Sequence, residues 1–86
     1  MQEQMTQEQI EGTVHAARDS VWVVVDELSK LANNMPWNDE RKGTIERNVA
    51  HLELVMANPQ ISGSGLDLSN LIAAIEAGKQ ELSNRG

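Results

Sequence analysis

The chain has 86 residues, a net charge of −6 and no cysteine, so it makes one small domain and excludes disulfides, thiolate metal sites and cysteine nucleophiles. Apolar residues make up 40% of it, with Trp22 and Trp37 the only members of the Phe, Trp and Tyr class. An aliphatic core of that kind suits close helix contact better than a large enclosed pocket with aromatic walls. The seven basic residues are scattered, which argues against direct nucleic-acid binding and against docking on an acidic membrane.

The start, Met1 to Gln9, is polar and acidic, unlike a signal peptide. No apolar run approaches the roughly 18 residues of a membrane span. A cytoplasmic location is therefore expected. Residues 1–5 are expected to be a disordered N-terminus, 6–83 a single domain and 84–86 a frayed end.

Between Ile10 and Met35, apolar residues recur as Ile10, Val14, Ala17, Val21, Val24, Leu28, Leu31 and Met35. The alternating steps of four and three predict a helix and exclude a strand. Thr6 followed by Gln9 fits a capping box. Glu8 and Glu11 lie near the end of the helix dipole that favours negative charge, and Lys30 near the end that favours positive charge. Val21 to Val25 is strand-like by propensity, but the long stripe outweighs that short run. A helix over about residues 6–33 is roughly 40 Å long. Its middle is apolar beyond one stripe, so Trp22 and Val25 are expected to flank the seam and Trp22 to enter the bundle core.

Asn33-Asn34-Met35-Pro36 predicts the end of this helix, with Asn able to take the left-handed position and Pro36 blocking continuation. Asn38 or Asp39 is expected to cap a second helix of about 19 residues, reaching back roughly 28 Å. Its stripe is Ile45, Val49, Leu52 and Met56, widened by Leu54 and Val55. Trp37, just before the cap, is expected to staple the first corner. Asn58-Pro59 is a stop.

Gln60 to Gly65 reads as a flexible connection, without the following Lys and Ser/Thr at a helix start that a phosphate loop requires. Asp67 is expected to cap a third helix whose apolar face is Leu68, Leu71, Ile72, Ile75 and Leu82. Gly78 interrupts it, either to permit a close crossing or to weaken the last turn, at about 1 kcal/mol relative to Ala. The fold expected is all-α: an up-down-up three-helix bundle with a long first helix, beyond which residues 1 to about 12 project.

Chemistry is sparse. Glu11, His15 and Asp19 share a helix face, which favours a solvated surface over a metal site. His51 has no carboxylate on its face. Ser20 does not share a face well with His15, and Ser62 and Ser64 lie in a connection that preorganises nothing. Neither histidine has a Glu three residues before it, as a di-iron bundle requires. No catalytic residue, metal ligand or cofactor is expected. Asn48 beside Leu52 is either an exposed polar residue or a register-fixing Asn.

The function expected is a small acidic protein-interaction module, with Ile10, Val14, Trp22 and Trp37 as interface candidates and another protein or a second copy as partner. The alternative is an acidic decoy that occupies a nucleic-acid-binding surface of another protein. Arg18-Asp19-Ser20-Val21-Trp22, followed by Arg47-Asn48-Val49-Ala50-His51-Leu52-Glu53, resembles a pattern in short uncharacterised phage-encoded proteins. That resemblance implies an accessory protein of the host cytoplasm or a minor particle component, and implies no catalytic or binding residue.

Overall fold

Gln7–Ala32 forms α1, Asp39–Ala57 forms α2, Pro59–Ser62 forms a single turn, α3, and Ser69–Arg85 forms α4. The computed structural model describes residues 4–85; the outermost parts of the expected disordered start and frayed end lie outside the described residues. All four helices pack together, and no strand occurs among the described residues. The molecule measures 45 × 22 × 17 Å, a rod little longer than its first helix.

The boundaries have local causes. Thr6 Oγ1 accepts the Gln9 N–H at 3.1 Å while Gln9 Oε1 accepts the Thr6 N–H at 2.9 Å, which completes the capping box and satisfies donors that a helix start leaves free. At the other end Asn34 has φ 69° and the Met35 N–H reaches back to the Lys30 carbonyl, a left-handed close that Asn tolerates. Asn38 Oδ1 accepts the Arg41 N–H at 2.7 Å and caps α2. Asn58 ends α2 and caps α3, with Pro59 in the first turn, where its missing N–H costs nothing.

The core is aliphatic: Val14, Ala17, Val24 and Leu31 from α1, Ile45, Val49, Leu52 and Val55 from α2, and Leu68, Leu71 and Ala74 at and in α4 are buried. Val21 to Val25 is helical throughout. Gly78 is buried on the seam of α4, where a Cβ would lie 2.5 Å from Val49 Cγ2. It serves the close crossing rather than weakening the last turn.

Several expectations are corrected. Trp22 is 71% exposed. Each residue turns the helix by about 100°, so a side chain two positions from Val24 faces nearly the opposite way. Leu54 and Ile72 face out for the same reason, and Met35 lies past the end of α1. The first turns of α1 do not overhang. Ile61 of α3 is fully buried, Val14 is in the core and Ile10 packs against it. The stretch read as a flexible connection thus folds a turn that covers this end. Met5 is held there too: its N–H donates to Gln60 Oε1 and its Sδ accepts from Asn58 Nδ2. At the far end α4 continues to Arg85.

Candidate functional site

Two seams between helices are stitched by polar pairs. Between α1 and α2, Ser20 Oγ and His51 Nδ1 share a hydrogen bond of 2.8 Å, and Arg41 Nη1 donates to Glu27 Oε2 at 2.7 Å. Arg41 Nε also donates to the Pro36 carbonyl, which fixes the first corner. Between α2 and α4, Lys79 Nζ donates to Glu53 Oε2 at 3.0 Å; that pair is exposed, so it contributes at most about 1 kcal/mol.

The seam between α1 and α4 is built differently. Arg18, Val21, Trp22 and Val25 of α1, with Asn70 of α4, line a groove of about 260 Å³. Arg18 also closes a neighbouring hollow lined by Glu8, Glu11, Gly12, Val14, His15, Leu66 and Asp67. Arg18 lines both hollows; Val21, Trp22 and Val25 line the one, and the carboxylates of Glu8, Glu11 and Asp67 line the other. The stripe Glu11, His15, Arg18, Trp22, Val25 advances by four and three residues along α1, parallel to the core stripe and displaced from it.

Asp67 closes the acidic hollow. Its Oδ1 accepts the Ser69 hydroxyl at 2.6 Å and the Ser69 N–H at 3.0 Å. These bonds, the side-chain one first, hold its carboxyl below the usual aspartate range, and the nearby charge of Arg18 adds to them. Asp67, expected to cap α4, sits one residue upstream of the actual cap position, Leu68: the first helical bond of α4 runs from the Ile72 N–H to the Leu68 carbonyl.

No protein-family model, no curated protein and no solved structure matches this chain. Among the described residues, no group of three or more His, Asp and Glu side chains is placed to hold a metal ion, and no helix is long and apolar enough to cross a membrane.

Of the four interface candidates, Trp22 alone lies open. Val14 is buried and Ile10 is half-buried against the core. Trp37 packs against the core and carries the Arg85 guanidinium 5.4 Å above its ring, a cation–π contact. The structure therefore does not bring the four together. Asn48 Nδ2 donates to the Thr44 carbonyl of its own helix and so fixes no register between helices.

Sequence reasoning missed the Ser20–His51 pair. Ser20 is three residues after Ala17 and four before Val24, a spacing that places it on the core stripe. Its partner, though, depends on how α1 and α2 slide past each other, and one sequence does not contain that register. Ser20 is 7% exposed, and its hydroxyl is committed to the imidazole. Ser20→Ala should lower stability by about 1 kcal/mol in urea unfolding followed by circular dichroism. An unchanged midpoint would show that the bond adds nothing to the α1/α2 seam.

Proposed function

We propose that this chain is a protein-interaction module that acts by binding, without catalysis or a cofactor, and presents the α1/α4 groove to another protein or to a second copy of itself. The observation that carries this reading is the exposed indole of Trp22. A domain with only two aromatic side chains leaves one of them 71% exposed on the rim of an apolar groove. Trp, with Tyr and Arg, is a residue type that most often carries binding energy at protein interfaces.

The long helices run up, down and up in this reading. Glu27 meets Arg41 and Ser20 meets His51, so positions rise along α1 as they fall along α2. The setting proposed is the cytoplasm, in the role of a phage accessory protein. The alternative, an acidic decoy, calls for an unbroken row of free carboxylates. Asp26, Glu27, Glu53 and Glu81 instead each lie in an ion pair with a Lys or Arg, which favours the interaction reading.

Affinity capture from the cell of origin tests it, with wild type and Trp22→Ala as matched baits. Truncating an indole at the centre of an interface costs about 2 kcal/mol or more, or roughly thirtyfold in affinity. The captured partner should therefore be lost with Trp22→Ala, whose circular dichroism should match wild type. Identical captured proteins on both baits would count against the proposal. Light scattering addresses the second-copy form, which a monomer over a wide concentration range rejects.

A further inference from the structure

Resting on the interaction reading, the groove also constrains the partner's chemistry. We propose that it takes a cationic amphipathic helix of another protein, lying antiparallel to α1 and α4, with its apolar stripe on Trp22 and Val25 and its Lys or Arg residues over Glu8 and Glu11.

Three features support this. The first is the split lining. One hollow offers Val21, Trp22 and Val25; the other offers Glu8, Glu11 and Asp67 against Arg18 and His15. The three carboxylates outnumber the single guanidinium of Arg18 and leave that hollow net negative, with Glu8 and Glu11 on its α1 side. Both are exposed, and neither is in an ion pair among the described residues. An occupant with apolar groups at one end and cations at the other matches both halves.

The second is length. Glu8 to Val25 spans roughly 26 Å along α1, which an occupant helix of about 18 residues covers. A helix seated in an apolar groove by residues at steps of three and four is a common mode of recognition. The stripe on α1 already has that spacing.

The third is polarity. Glu8 of the first turn of α1 and Asp67 just before α4 line the same hollow, so both helices begin there. The positive ends of their helix dipoles therefore lie there, which favours the negative C-terminal end of an incoming helix. Cationic side chains in the last turn of that helix stabilise it and also reach Glu8 and Glu11. A second copy is the weaker occupant, since two chains of charge −6 repel.

The test uses the full chain and three synthetic helical peptides of about 18 residues with one apolar stripe. The first carries Lys in its C-terminal half, the second carries Glu there, and the third carries the Lys residues in its N-terminal half. Titration calorimetry at low salt should rank the first at least about tenfold above the second, with the third between them. Glu8→Lys with Glu11→Lys should weaken the first peptide about tenfold, and so should Trp22→Ala. Asp39→Lys with Glu46→Lys on α2, an equal charge change away from the groove, should leave it within about threefold. No preference for Lys over Glu, an equal loss from the α2 pair, no loss from Trp22→Ala, or occupation of the groove by a second copy would overturn the inference. If the peptides fail while Trp22→Ala still abolishes capture in cells, the cationic helix is wrong and the interaction reading stands. If Trp22→Ala alters neither, both fall.

Discussion

Ile61→Ala should lower stability by about 2–5 kcal/mol, a large part of what an 86-residue domain holds. Ile61 is fully buried, yet it belongs to a helix of four residues in a stretch that reads as a linker. The turn is held from above by Asn58, whose Oδ1 accepts the Gln60 N–H at 3.0 Å, and from below by the Gly63 N–H on the Pro59 carbonyl at 2.9 Å. Pinned at both ends, it packs against α1 and α2 with little freedom to collapse into a cavity left by a lost side chain. Urea unfolding followed by circular dichroism measures the effect, with the half-exposed Ile72→Ala as a reference expected to lose far less. If Ile61→Ala stayed within about 0.5 kcal/mol of wild type, the turn would not be part of the core, and the first turns of α1 would be open as the sequence alone suggests.

Gly78→Ala should also destabilise the protein, by about 1–3 kcal/mol before any gain from helix propensity. Propensity alone predicts the opposite sign, because Ala is favoured over Gly in a helix interior by about 1 kcal/mol. Packing decides between them. The added Cβ would lie 2.5 Å from Val49 Cγ2, 3.5 Å from Val24 Cγ1 and 3.6 Å from Ile45 Cγ2. Val49 is β-branched and 3% exposed, so its methyl has one strongly preferred rotamer and no empty space to move into. The helices must separate or Val49 must leave its rotamer. On a Val49→Ala background that obstacle is gone, and the same substitution should become neutral or stabilising. The double-mutant cycle isolates the contact. A Gly78→Ala protein more stable than wild type would mean that α4 does not cross α2 at that distance.

The boundaries of α1 and α2 were legible in the sequence, because the groups that set them are local. Thr6 with Gln9, Asn34 before Pro36, Asn38, and Asn58 before Pro59 are each read within four residues and each act as expected. The core stripes of α1 and α2 were legible from their spacing, and a helical Val21 to Val25 follows from the stripe that runs through it.

Side-chain direction was legible in principle and misread at Trp22. Treating the indole as a widening of the core face neglects the turn of about 100° per residue, which carries it past the flank to the outside. Leu54 was misread in the same way. The turn at Ile61 was obscured by Ser62-Gly63-Ser64-Gly65, whose composition is that of a flexible link, although Asn58-Pro59 starts a helix as readily as it stops one.

The groove itself was not legible. Arg18, Trp22 and Val25 of α1 meet Leu66, Asp67 and Asn70 only through the placement of α4 against α1. That placement depends on Gly78 nesting against Val49 and Val24, a tertiary fit that periodicity in one chain does not encode. The pairing of Ser20 with His51 was out of reach for the same reason. The segments Arg18 to Trp22 and Arg47 to Glu53 each contribute one of these residues, so in this fold they face each other across the α1/α2 seam.

Tryptophan fluorescence of the Trp37→Phe variant tests the outward placement of Trp22 most directly, since Trp22 is then the sole indole in the chain. At low micromolar concentration its emission maximum should match free tryptophan in water, and acrylamide should quench it nearly as well as it quenches the free amino acid. A blue-shifted, poorly quenched emission would place the indole inside the bundle and leave the groove without its anchor.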